Sequence, residues 1–206
     1  MNRADELLEL IRARRSVRRF RPEPPDRATL SRLIEIASWA PTAGNRQDWL
    51  FTAVTSPELL RQMAEAVRSR WAAIIEADRE RGYAEGMERY AAAYAMFPTA
   101  PAVVIVSARA TTHVQRHMFG EEADVTAGGG ATAAMAAQTM MLAAQAMGLA
   151  SCCMTGALVA RGEIARLAGL PRKQEIACLV ALGRPEGELP AAPPRKPLAE
   201  IARFLE

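Results

Sequence analysis

The sequence predicts an α+β sandwich, and three observations lead there. Helical periodicity alternates with about four strand-like runs, but the connections do not give the steady strand-helix-strand rhythm of a doubly wound sheet. No Gly-x-Gly-x-x-Gly follows a strand, so a nucleotide cofactor, if one binds, does not sit in a Rossmann crevice. With 206 residues, half of them hydrophobic, the chain can bury a sizeable core as one domain over 1–206.

The elements follow in order. Leu7, Leu8, Leu10 and Ile11 recur at helical spacing within 5–14, with Asp5 and Glu6 suited to the positive end of the helix dipole. Pro22, Pro24 and Pro25 then impose an extended connector. Asp26 or Thr29 can cap a second helix, whose apolar positions Leu30, Leu33, Ile34, Ile36 and Ala37 repeat until Pro41. A loop over 41–48 leads into a strand over 49–55, and Pro57 with Glu58 opens a third helix that passes Met63 and Val67. Residues 68–97 read as a charged, Ala-rich helical excursion suited to a lid, ended by Pro98. Val103, Val104, Ile105 and Val106 form an unbroken β-branched run inside 102–108, which marks a central strand. After a loop over 109–124 comes a long Ala- and Met-rich helix, then a strand over 149–154, a helix over 163–167, a strand over 175–182, a Pro-rich arm over 185–197 and a helical turn over 198–204.

Six arginines, Arg12, Arg14, Arg15, Arg18, Arg19 and Arg21, fall within ten residues. A guanidinium grips phosphate bidentately, so the cluster calls for a nucleic-acid backbone, an anionic membrane or the phosphate of a small cofactor. The overall charge is only +3, from 26 basic and 23 acidic residues, and Asp5, Glu6, Glu9, Glu23 and Asp26 flank the cluster. A nucleic-acid binder spreads its basic residues over a face, so this balance argues for a smaller anion and no nucleic-acid partner. The stretch 125–160 carries no charged residue, yet it is Ala- and Met-rich and holds Gly128, Gly129, Gly130, Gln138, Gln145, Gly148 and Gly156. That composition suits a buried helix covered on nearly every side, an oligomer interface included, better than a membrane span. Cys152, Cys153 and Cys178 have no metal-like spacing, and with the polar 2–9 start they suit a reducing cytoplasm. Cys152 and Cys153, in apolar company, read as inert core thiols. His113, His117 and Glu121 lie four apart, but Gly120 breaks the helix that would align them, so no metal site is expected.

The loop from Trp39 to Trp49 is the second dense signal. Asn45 and Gln47 offer both donors and acceptors to the edge of a planar heterocycle, while Pro41 and Gly44 set a tight backbone path. The same composition serves an ordinary helix-to-strand turn.

Arg14-Arg15-Ser16-Val17-Arg18-Arg19-Phe20, followed by Ala40-Pro41-Thr42-Ala43-Gly44-Asn45-Arg46-Gln47-Asp48-Trp49, resembles the opening signature of the FMN-dependent nitroreductase superfamily. Three later segments agree in order: Leu142-Ala143-Ala144 through Gly148-Leu149-Ala150-Ser151-Cys152, Ala181-Leu182-Gly183, and Pro194-Arg195-Lys196-Pro197-Leu198. The resemblance implies a mostly antiparallel sheet of four to five strands in an intertwined homodimer, with FMN at interfacial sites. It further implies that Arg14, Arg15, Ser16 and Arg18 hold the phosphate and ribityl chain and that Arg195 reaches the same phosphate from the C-terminal arm. Pro41, Thr42, Ala43, Asn45 and Gln47 would face the isoalloxazine from the other protomer, and Thr155 and Gly156 would lie near flavin N5. NADPH or NADH would be the electron donor and a small molecule such as a nitroaromatic or quinone the acceptor, with no dedicated catalytic side chain. Members that use reduced FMN in a biosynthetic reduction or an oxygen-activating step give an alternative. A flavin-storage or basic-arm nucleic-acid-binding protein gives the non-enzymatic one.

Departures from the family pattern touch the same region. Asp48 stands where Pro often precedes the Trp, and Cys153 where an aromatic is common. A Lys common near the flavin pyrimidine is missing, since Lys occurs only at Lys173 and Lys196. Arg89 or a backbone amide would have to stand in for it.

Overall fold

The computed structural model of the chain describes residues 2–79, 84–92, 99–112, 114, 117, 118, 120 and 129–205. Of the positions singled out above, Pro98, His113, Glu121 and Gly128 lie outside the described residues, as do parts of 68–97 and 109–124.

Helix α1 (Arg3–Ala13) starts where the Asn2 side chain accepts hydrogen bonds from the Ala4 and Asp5 amides, both at 2.9 Å. None of its residues is buried. Helix α2 (Arg27–Ala37) is capped by Asp26, whose carboxylate accepts from the Thr29 amide at 2.7 Å, which decides between the two caps considered. Strand β1 (Trp49–Val54) follows the loop, and Ser56 caps α3 (Pro57–Ala77), with Pro57 in its first turn. At 21 residues α3 carries the helix well into the charged segment, and α4 (Ala84–Ala92) takes up part of the rest. Strand β2 (Ala102–Arg109), helix α5 (Gly129–Ala146), strand β3 (Ala150–Met154), helix α6 (Arg161–Leu167), strand β4 (Gln174–Gly183) and a short α7 (Leu198–Ile201) complete the order. The C-terminal helix stops three residues before its expected end at Phe204, since Ala202 turns extended.

The four strands form one sheet in the order β1-β2-β4-β3, antiparallel at every pairing. The unbroken apolar runs of β2 and β4 explain why these two are central, because both of their faces are covered. On one face Val103, Ile105, Leu179 and Ala181 pack with Met63 and Val67 of α3, Ile164 of α6 and Met154. On the other, Val104, Val106, Cys178, Val180 and Leu182 pack with Leu30 and Leu33 of α2 and Ala133, Ala137, Met140 and Ala144 of α5. Helices therefore cover the sheet on both sides, and the sandwich read from the sequence is the observed architecture. Among the described residues no helix is long and apolar enough to cross a membrane.

The edge strand β3 has an irregular neighbour. The Val17 amide donates to the Ser151 carbonyl at 3.0 Å, the Arg21 amide to the Arg184 carbonyl at 2.9 Å and the Glu186 amide to the Arg19 carbonyl at 3.1 Å. The arginine-rich segment is thus laid along the end of the sheet, pinned by buried Val17 and Phe20. Phe20 fits because residue 183 is glycine: a Cβ there would lie 2.7 Å from Cγ of Pro101 and 3.1 Å from Cδ1 of Phe20.

Candidate functional site

Burying Val17 and Phe20 leaves the intervening and preceding arginines to face outward, and the C-terminal arm returns to meet them. Leu8, Ile11 and Arg12 of α1, Arg14, Arg15, Ser16 and Arg18 of the segment, and Pro190 to Pro193 with Arg195 of the arm enclose a cavity of about 880 Å³. Residues separated by more than 170 positions therefore meet at one place. Arg14, Arg15, Ser16, Arg18 and Arg195, the five positions read as a phosphate clamp, all line it.

The guanidiniums are not equivalent. Arg15 donates through Nε to the Pro190 carbonyl at 3.1 Å and through Nη1 to the carbonyls of Arg14, at 2.8 Å, and of Arg12. Its donors hold the arm against the segment, so it shapes the cavity. The Arg18 Nη1 reaches the Ser16 carbonyl at only 3.5 Å, a weak contact. Arg14 and Arg195 make no side-chain hydrogen bond or ion pair to any described residue, which leaves their forks of donors for an anion. Arg12, which reads from the sequence as surface charge together with Arg19 and Arg21, lines the cavity instead. The last turn of α1 brings it there, and only its place three residues before Arg15 could have signalled that.

A larger, more open groove of about 1040 Å³ runs between α3 and α6. Of its charged lining residues Arg61, Glu65, Glu163 and Arg166 are already paired, Arg61 with Glu58, Glu65 with Arg68 and Glu163 with Arg166, which leaves Arg70. The clamp cavity instead gathers Arg12, Arg14, Arg15, Arg18 and Arg195 with no acidic residue in its lining.

The loop after α2 is built with left-handed backbone. Gly44 takes φ 61°, and Asn45 and Gln47 take φ 52° and 51°, values uncommon for side-chain-bearing residues and concentrated at functional sites. The Thr42 hydroxyl accepts from the Gln47 amide at 3.1 Å, and Gln47 Nε2 donates to Asn45 Oδ1 at 3.2 Å. Asp48 closes the loop by pairing with Arg46, Oδ2 to Nε, at 2.9 Å. Pro41, Thr42, Ala43, Asn45 and Gln47 line no part of the clamp cavity, so one chain does not bring the two halves of the predicted site together. Thr155 is exposed at the head of a short 3-10 turn, and Gly156 is buried, its carbonyl accepting from Trp71 Nε1 at 3.2 Å.

The cysteines divide. Cys152 is buried, and desolvation raises its thiol pKa, against the lowering effect of Arg18 and Arg14. Cys153 is exposed, which corrects the reading of both as core thiols. Strand alternation sends neighbours to opposite faces, and an edge strand leaves one of its residues uncovered.

Comparison with known proteins follows the same chain order. The model of the Nitroreductase family matches residues 11–184. A 5,6-dimethylbenzimidazole synthase of Rhodobacter capsulatus is 46% identical over 55 residues, 27% of this chain and 27% of that protein, so the match spans about a quarter of the curated relative's length. A nitroreductase with bound FMN from Bacteroides fragilis is 28% identical, with a TM-score of 0.73 over 98% of this chain and 99% of that one. A BluB-like flavoprotein from Clostridium difficile superposes with a TM-score of 0.83 over 97% and 99% of the two chains at 22% identity, a likeness of fold. With a family model spanning most of its length and a nitroreductase sharing its fold over nearly the whole of both chains, the chain belongs to the Nitroreductase family.

Proposed function

We propose that this chain is an FMN-dependent NAD(P)H oxidoreductase that serves a small conjugated acceptor, a nitroaromatic or a quinone, as a homodimer. The observation that carries the reading is the clamp cavity. Arg12, Arg14, Arg18 and Arg195 offer guanidinium donors and Ser16 a hydroxyl, while Leu8, Ile11, Pro190 and Pro193 supply apolar wall. This donor set fits a phosphate on a polyol chain, and nothing in it selects a base or a metal.

In this reading Arg14 and Arg195 grip the phosphate, Ser16 and Arg18 hold the adjoining chain, and Arg15 locks the arm that carries Arg195. Pro41, Thr42, Ala43, Asn45 and Gln47, remote from the cavity in their own chain, serve the site of a second copy. Thr155 and Gly156 present backbone near the reacting edge of the ring. Bound FMN supplies a carrier that accepts hydride from NADPH or NADH at N5 and returns electrons to the acceptor. The protein binds, orients and excludes water, and no side chain is assigned as acid or base.

The exposed surface supports the second copy. Ala131, Ala134, Met135 and Gln138 form an uncharged outer stripe on α5. Leu7, Leu8, Ile11 and Trp39 are exposed, as are Leu198, Ile201, Phe204 and Leu205 of the arm. So much apolar surface on one chain marks an interface. The whole chain over 1–206 then acts as one FMN-binding unit, with 185–206 as the C-terminal arm and 68–97 as a lid. A cytoplasmic place of action is part of the same proposal and fits three unpaired cysteines.

A second reading, biosynthetic use of reduced FMN, is favoured by the partial identity to the dimethylbenzimidazole synthase. Anaerobic titration separates the two. The purified protein is expected to be yellow and to bleach with NADPH or NADH, then to recover its colour when a quinone or nitroaromatic is added. A yellow protein that bleaches with neither nucleotide would overturn the reductase reading in favour of the second.

A further inference from the structure

The indole of Trp71 makes a contact across 85 positions that the cofactor reading does not use: its Nε1 donates to the Gly156 carbonyl at 3.2 Å. Trp71 is partly buried on α3 and packs, as do Leu158 and Val159, against the core that holds Ala157 and Ala160. One residue earlier, the Thr155 carbonyl accepts from the Leu158 amide at 2.9 Å. The two consecutive peptides after Thr155 are therefore each anchored at the carbonyl, and a planar peptide held at its carbonyl has the direction of its N–H fixed as well. The anchor matters at residue 156, because glycine lets a peptide rotate at little steric cost. Thr155 offers no substitute, since its side chain makes no capping hydrogen bond to the turn.

We propose that Trp71 is a positioning residue for the flavin chemistry. Its indole N–H holds the Gly156–Ala157 peptide, and with it the backbone that Thr155 and Gly156 present to the reacting edge of the ring; this rests on the FMN reading above and deepens it. Trp71 lines no part of the clamp cavity, so it acts through the turn and not on the phosphate. A hydrogen bond accepted at a carbonyl also polarises the N–H of the same peptide, which makes the Ala157 amide the stronger donor. Trp71 stands at the root of the segment 68–97, so one bond joins the lid of that reading to the reacting edge.

The consequence is a bias between the two redox forms of the cofactor. Flavin N5 offers a lone pair when the ring is oxidised and carries a hydrogen when it is reduced, so backbone amides held towards it favour the oxidised ring. A loosened scaffold, by contrast, weakens both forms alike.

The test measures Kd for oxidised FMN and for reduced FMN, with the midpoint potential of the bound flavin, on the full chain and on Trp71→Phe, which keeps an aromatic ring and loses the donor. Oxidised FMN should bind about threefold to tenfold more weakly, the size of one ordinary hydrogen bond, with reduced FMN unchanged, so the potential should rise by about 15–30 mV. Trp71→Leu, which lacks the donor and suits a helix, should show the same shift. Val159→Ala, which trims packing on the same turn and keeps the donor, should leave the potential where it is. An unchanged potential in both Trp71 variants, equal weakening of the two FMN forms, or an equal shift in Val159→Ala would overturn the proposal while leaving the FMN reading intact. A wild-type chain that binds no FMN would overturn that reading and this proposal with it.

Discussion

Ala134→Arg is expected to convert a dimer into a monomer. Ala134 lies on the exposed stripe of α5, so in the isolated chain an arginine there stays in water, and its helix propensity is close to that of alanine. The fold should survive. In a two-fold dimer the same substitution enters the interface twice, and desolvating each unpaired charge costs about 3 kcal/mol or more, which weakens association on the order of ten-thousand-fold. Light scattering behind size-exclusion chromatography at micromolar concentration should show twice the chain mass for the wild type and the single-chain mass for the variant. If the loop over 41–47 completes the partner's site, the variant loses its flavin as well. A variant that remains a dimer would remove α5 from the interface.

Arg14→Ala and Arg195→Ala are each expected to raise the Kd for FMN roughly tenfold or more, because each removes a charge-assisted contact of about 1.5–3 kcal/mol. Both guanidiniums line the cavity, and neither is engaged by a described side chain or carbonyl, so little folding energy should be lost with them. Arg15 should behave differently. Its donors are spent on Pro190, Arg14 and Arg12, so its loss acts by loosening the arm. Fluorescence titration of FMN against each variant measures this, and unchanged affinity in both Arg14→Ala and Arg195→Ala would refute the clamp.

What the sequence made legible depends on the range of the forces involved. Caps and amphipathic faces are local, so Asp26, Pro57 and the apolar spacing of α2 placed their elements within a residue or two. The unbroken β-branched run of β2 demanded cover on both faces, and a central strand is what it became. Strand order is not local. Ser151-Cys152-Cys153-Met154 reads as a buried run, and only the position of β3 at the sheet edge exposes Cys153. Arg12 reads as surface charge in the sequence, and only the last turn of α1 brings it into the cavity. The left-handed backbone at Asn45 is of a residue type that favours it, whereas that at Gln47 has no signal of its own in residue type. The meeting of Arg14 with Arg195 was legible from the family resemblance alone, since no periodicity links residues so far apart.

The central claim is that the arginine cavity holds the phosphate of a flavin. Riboflavin carries the same ring and polyol as FMN without the phosphate, so the ratio of their Kd values isolates the clamp. With two or more charge-assisted contacts to the phosphate, FMN should bind about a hundredfold tighter or more, and the gap should shrink as salt is raised. Equal affinities for riboflavin and FMN would contradict the account.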